Sequence, residues 1–177
     1  SVDDEFAQLP SGLPGYDDRP GVAVFVSSHC GAQPRTHYLA KLERYLDVDI
    51  YGKCGDKVIG GSESNETLVD VMSRYKFYLS FENTLSPGYV TEKLLSLPLQ
   101  AGIVPVYLGA PDADYLSYRF WHRSGKSIAK DKQRKQNRAA QWFVNVADFD
   151  TPHHLSKFLT KMKKHTWDSY VAAHQQH

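Results

Sequence analysis

Short apolar runs separated by polar, turn-forming stretches set the rhythm of this chain. Phe77 to Phe81 is aromatic and apolar without alternation, the pattern of a strand buried on both faces of a parallel sheet. Gly21 to Ser28 predicts a β-branched strand, and Val48 to Tyr51, Ile103 to Leu108 and Trp142 to Val146 predict three more. Between them the spacing turns helical. Arg35 to Leu46 places Tyr38, Leu39, Leu42, Tyr45 and Leu46 at helical intervals, and helices are also predicted over Asn65–Arg74, Tyr89–Gln100, Pro152–Lys163 and Thr166–Ala173, with a short one over Asp112–Tyr118. Strands alternating with helices imply an α/β fold, a doubly wound and mostly parallel sheet with right-handed crossovers.

Three stretches depart from that rhythm. Residues 1–20, with Pro10, Gly12, Pro14 and Gly15, read as a linker from an upstream segment, so the domain is expected over 21–177. Pro98 falls inside the Tyr89–Gln100 pattern, where a lost donor and a ring clash predict a kink or an early stop. The run from Arg119 to Arg138 is basic but for Asp131. It reads as a solvated surface insertion over about 119–141 or, more sharply, as a contact for a polyanion.

Chemistry concentrates between Tyr75 and Lys93. The buried strand stops at Glu82-Asn83, Ser86-Pro87-Gly88 supplies a turn, and Tyr89 onward reads as a helix start with unpaired N–H groups. Helix starts attract phosphate, and ligands of open α/β sheets sit beyond the carboxyl ends of strands. Asn83, Tyr89, Glu92 and Lys93 are therefore natural lining for a nucleotide crevice. Arg35, just after the Ser27-to-Cys30 elbow, is placed to share it and to clamp a pyrophosphate with Lys93, or else to make a surface ion pair. Glu92 has two acceptor oxygens for a ribose diol, or serves as a capping carboxylate at the helix start.

Composition narrows the classes. Hydrophobic content of 41% with 12% aromatic residues argues for an ordered globule. Lys plus Arg total 21 against 20 acids, so the net charge of +1 gives no case for nucleic acid. No run approaches a bilayer span, and no secretory leader opens the given chain. Glycine-rich dinucleotide and Walker loops, a Gly-x-Ser-x-Gly elbow and zinc-ligand spacing are absent, so no metal is assigned. Cys30 and Cys54 each follow a strand at one sheet edge and are either a disulfide or two free thiols. Asn65-Glu66-Thr67 is a candidate N-glycosylation sequon.

Phe81-Glu82-Asn83-Thr84, Gly88-Tyr89-Val90-Thr91-Glu92-Lys93-Leu94 and Val104-Pro105-Val106-Tyr107-Leu108-Gly109-Ala110-Pro111 closely resemble the α1,3/4-fucosyltransferase family. The Ser27-to-Arg35 loop, Val48 to Cys54 and Phe143 to Phe149 match as well, so the resemblance covers about residues 21 to 170. It implies a Rossmann-like, carboxyl-terminal half of a GT-B glycosyltransferase that binds GDP-fucose. By matched position Arg35 and Lys93 hold the pyrophosphate, Glu92 contacts ribose, and Glu82, Asn83, Tyr89, Val90 and Thr91 complete the donor set. It further implies inverting transfer to a glycan acceptor, with no required cofactor and with the catalytic base in an amino-terminal acceptor domain outside this chain. The implied setting is the Golgi lumen within a type II membrane protein, or a bacterial cytoplasm or inner-membrane periphery.

The chain also departs from that family. Ser28-His29-Cys30 stands where many members carry Ser-Asn-Cys, Gly88 replaces a common Asp, and both Pro98 and the 119–141 stretch interrupt the usual pattern. The paired cysteines resemble eukaryotic members, whereas Phe-Glu-Asn-Thr with Gly-Tyr-Val-Thr-Glu-Lys resembles bacterial ones. Two rivals remain open at this stage: a GT-B transferase for another nucleotide sugar, and a non-catalytic nucleotide-sugar-binding or interaction domain.

Overall fold

The computed structural model describes residues 12–31, 34–60, 64–111 and 141–176. In chain order these form β1 (Gly21–Val26), α1 (Pro34–Leu42), β2 (Val48–Tyr51), α2 (Leu68–Met72), β3 (Tyr75–Phe81), α3 (Ser96–Ala101), β4 (Val104–Leu108), β5 (Val144–Asn145), α4 (Pro152–Lys161) and α5 (Lys164–Gln175). The expected Asp112–Tyr118 helix and the basic run to Arg138 lie outside the described residues.

Every strand pair is parallel, and the sheet order is β2-β1-β3-β4-β5. Side-chain alternation sorts the core into two layers. Ala23, Phe25, Phe77, Leu79, Val104 and Val106 pack with Leu39 and Leu42 of α1, Leu155 and Leu159 of α4 and Trp167 of α5. Val24 and Tyr78 face the other way, onto Val71 and Met72 of α2 and Ala101 of α3. Helices on both faces make the sheet doubly wound, as the alternation predicts. The chain steps from β1 outward to β2 and then returns across β1 to β3, so its direction of travel reverses between β1 and β3. Such a switch point opens a crevice at the carboxyl ends of the two strands.

Residues 12–20 do not behave as a linker. Tyr16–Asp18 form a single 3-10 turn, Tyr16 donates its hydroxyl to the Met162 carbonyl at 2.9 Å, and its ring meets Trp167 edge-on at 5.8 Å. Arg19 is 1% exposed. The proline and glycine signals of this segment are real turn chemistry, but its large side chains bury against the domain.

The helix expected from Tyr89 begins only at Ser96. Starting there puts Pro98 in the first turn, where its missing N–H has no intrahelical partner to lose. The helix runs on past Pro98 to Ala101, so no early stop results. Gly102, with a φ of 56°, then ends the helix in the left-handed conformation that glycine adopts most readily. Similarly, α2 starts at Leu68 and not at Asn65, because Thr67 and Asp70 form a reciprocal capping box. Only Val144–Asn145 of the Trp142–Val146 stretch is strand; Asn145 Oδ1 accepts from Ala147 N at 3.0 Å and turns the chain into a 3-10 segment.

One core group is costly. The Tyr38 hydroxyl is buried without a partner among the described residues, while its ring packs on Phe81 at 5.8 Å. Tyr38→Phe keeps the ring and removes the orphan donor, so it should stabilise by about 1 kcal/mol, or roughly 2–4 °C in Tm. Desolvation pushes the hydroxyl up to about 12, so folding favours its neutral form. That contribution is complete below the unfolded tyrosine value of about 10 and is lost as pH rises through about 12. Denaturant titrations of both proteins across this alkaline window should show the smaller loss in the variant; a less stable variant would refute the assignment.

Candidate functional site

Arg35, the second residue of α1, is 1% exposed and spans the switch point. Its Nη1 donates to the Phe81 carbonyl at 3.3 Å, and its Nη2 donates to Ser27 Oγ at 2.8 Å and to the His29 carbonyl at 2.9 Å. One guanidinium thus ties the carboxyl end of β1 to that of β3. Burial lowers its pKa, and the negative potential of Tyr78, Glu82 and Tyr89 acts in the opposite sense. Arginine stays cationic at neutral pH regardless. Its Nε has no partner among the described residues.

Glu82 follows β3 and is also 1% exposed. Its backbone N–H continues the ladder to the Leu108 carbonyl at 2.8 Å. Its Oε1 accepts from Thr91 N at 2.9 Å, the Thr91 hydroxyl donates to both oxygens, and Lys93 Nζ lies 4.0 Å from Oε2. This side chain therefore meets the backbone donor that the sequence offers to an external anion. Glu82 lies under the crevice and shapes it through Thr91 and Lys93.

The segment from Tyr89 to Leu95 is irregular yet pinned at several further points. Tyr107 donates its hydroxyl to the Tyr89 carbonyl at 3.3 Å, and Ser80 Oγ donates to the Lys93 carbonyl at 2.6 Å. His174 Nε2 donates to the Leu95 carbonyl at 3.0 Å while its ring stacks on Trp142 at 4.4 Å. Close approach at the end of β4 demands glycine. A Cβ on Gly109 would lie 2.7 Å from Glu82 Cγ and closer still to the Tyr107 hydroxyl.

The switch point thus gathers Arg35, Glu82, Thr91 and Lys93 into one hydrogen-bonded and electrostatic cluster. Asn83 is half-buried, and its Oδ1 has no partner among the described residues. Tyr89 is 38% exposed. Glu92 is exposed and, with burial and Glu82, helps raise the pKa of Tyr78. Val90 turns inward and packs against Leu94, Tyr107 and Trp142.

Sequence reasoning missed Ser27, Ser80, Tyr107, Gly109 and His174 as supports. Ser80 had a signal, a polar side chain inside an apolar strand; His174, far along the chain, had none.

Cys30 and Cys54 form a disulfide with a Cα–Cα distance of 5.1 Å. Together with a bond from Cys54 N to the Ser27 carbonyl at 3.3 Å, it ties the loop after β1 to the loop after β2. Chemically, Lys93 pairs with the buried Glu82 carboxylate, whose charge also reaches the Arg35 guanidinium, beside an orphan donor on Arg35 and an orphan acceptor on Asn83. That arrangement suits an anionic, polar ligand. No group of three or more metal-ligating side chains occurs among the described residues.

A sequence profile for glycosyltransferase family 10 (fucosyltransferase), carboxyl-terminal region, matches residues 17–175. A 3-galactosyl-N-acetylglucosaminide 4-alpha-L-fucosyltransferase of Pongo pygmaeus is 34% identical over 143 residues, covering 81% of this chain and 32% of that protein. A 4-galactosyl-N-acetylglucosaminide 3-alpha-L-fucosyltransferase of Homo sapiens is also 34% identical, with 81% and 33% covered. The chain therefore spans about a third of the length of these relatives. Among solved structures, an alpha1,3-fucosyltransferase with GDP-fucose superposes with a TM-score of 0.59 at 24% identity, covering 85% of this chain and 38% of that one, a likeness of fold. A second alpha1,3-fucosyltransferase structure gives 0.58 at 26% identity, covering 85% and 36%.

Proposed function

The chain belongs to glycosyltransferase family 10, the fucosyltransferases, and we propose that it is the donor-binding part of an inverting α1,3-fucosyltransferase. GDP-fucose occupies the crevice at the β1/β3 switch point. The observation that carries this reading is the Arg35 guanidinium spanning both strand ends, electrostatically linked through Glu82 to Lys93.

In the reaction, an acceptor sugar hydroxyl loses its proton to a carboxylate base in an upstream acceptor domain. Its oxygen bonds to the anomeric carbon of fucose as the bond to the β-phosphate breaks, and GDP leaves with the electron pair. Charge grows on the departing phosphate. Arg35 and Lys93 are fixed before it develops, so they stabilise it with little reorganisation. Glu92, exposed beside them, accepts from the ribose hydroxyls, and Asn83 and Tyr89 line the donor. The two cations supply this stabilisation without a metal.

The acceptor is a glycan, and the disulfide favours an oxidising setting, the Golgi lumen within a type II membrane protein. Among the described residues no helix is long and apolar enough to cross a membrane, so an anchor would lie elsewhere.

Calorimetry with GDP-fucose, GDP and UDP tests the reading. GDP and GDP-fucose should bind, UDP should bind much more weakly, and the chain alone should transfer no fucose. Equal binding of UDP would overturn the guanine assignment, and transfer by this chain alone would overturn the external base.

A further inference from the structure

We propose that Asn65 carries an N-linked glycan. The sequon Asn65-Glu66-Thr67 is common by chance as a sequence, but its placement here is selective. Asn65 is exposed, lies outside regular structure just before α2, and its amide makes no hydrogen bond among the described residues. Its neighbours are tied down. Glu66 accepts from Gly60 N at 3.3 Å and pairs with Arg74, while the Thr67 hydroxyl accepts from Asp70 N at 3.2 Å. Asn65 projects to solvent between residues that are tied down, so a bulky group there displaces no contact among the described residues.

The Cys30–Cys54 disulfide supplies an independent observation, because it belongs to the oxidising lumen in which N-glycans are added. Asn65 Nδ2 forms a bond to the anomeric carbon of a lipid-pyrophosphate-linked oligosaccharide. The anomeric C–O bond breaks, the lipid pyrophosphate leaves with its electrons, and one amide proton is released. The folded capping box engages Thr67, so addition precedes closure of α2, on the emerging chain. The glycan then sits on the connection leaving β2, the open edge strand, where a large hydrophilic group opposes edge-to-edge association. This inference stands independently of the donor-site reading.

Because addition occurs before folding, the test does not require the chain to fold alone. The chain is expressed in animal cells behind a cleavable secretion signal, and the combined lumenal and secreted fractions are treated with peptide-N-glycosidase and analysed by peptide mass. The expected result is a single-glycan shift that the enzyme removes, leaving aspartate at residue 65. Asn65→Gln and Thr67→Asp should abolish it, while Thr67→Ser should retain it. Aspartate is a good N-cap, so Thr67→Asp removes the sequon while keeping the start of α2. Recovery of the unmodified Asn65 peptide from lumenal protein with the disulfide formed would overturn the proposal.

Discussion

Replacing Arg19 with alanine is expected to cost at least about 3 kcal/mol of folding stability, a large share of the 5–15 kcal/mol typical of a domain. The side chain is almost completely enclosed, yet it has no carboxylate partner among the described residues. Its fork is spent on carbonyls instead. Nε donates to Pro14 O at 3.0 Å, Nη1 to Tyr75 O at 3.0 Å and Nη2 to Ala101 O at 2.9 Å. The guanidinium also lies 5.0 Å from the centre of the Trp167 ring. Burial alone lowers its pKa to about 10, the mark of a cation held without a counter-ion.

Alanine would strand those acceptors and open a void between β3, α3 and α5. Lysine is not a rescue, because a single ammonium on a flexible stem cannot reach all three carbonyls in one plane. Urea denaturation of wild type, Arg19→Ala and Arg19→Lys should therefore give midpoints that fall steeply in both variants. Losses below about 0.5 kcal/mol, the range of ordinary surface changes, would show that the segment is only loosely docked.

Arg19 also shows what local sequence reading does not reveal. Proline and glycine around it announce a turn, and nothing nearby announces burial, since two of its three acceptors lie 56 and 82 residues away. Strand positions were legible because apolar runs in a parallel sheet carry their own signal, as with Phe77 to Phe81. The order β2-β1-β3-β4-β5 was not, since several pairings would satisfy the same runs. At the site, Glu82 and Thr91 stand in a readable motif, but only the fold shows that the carboxylate meets the Thr91 N–H. That internal pairing, together with Pro98, explains why the regular helix begins later than periodicity predicts.

Lys93 and Arg35 are expected to fail differently when neutralised, and the difference separates ligand binding from scaffolding. Lys93 Nζ makes one long contact with Glu82, at 4.0 Å, from a side chain that is 20% exposed. Lys93→Met keeps most of the aliphatic stem and removes the charge, so GDP affinity should fall by about 1.5–3 kcal/mol, roughly 10- to 150-fold, with a modest change in Tm. Arg35→Met removes a comparable contribution to binding and also breaks the bonds to Phe81 O, Ser27 Oγ and His29 O that join β1 to β3. Its thermal stability should therefore drop by several degrees before any ligand is added. Measuring GDP affinity by calorimetry well below each variant's Tm keeps unfolding out of the binding signal. Unchanged affinity in both variants would remove the diphosphate from the switch point, whereas loss of affinity in Lys93→Met alone would make Arg35 a strut whose charge the ligand never meets.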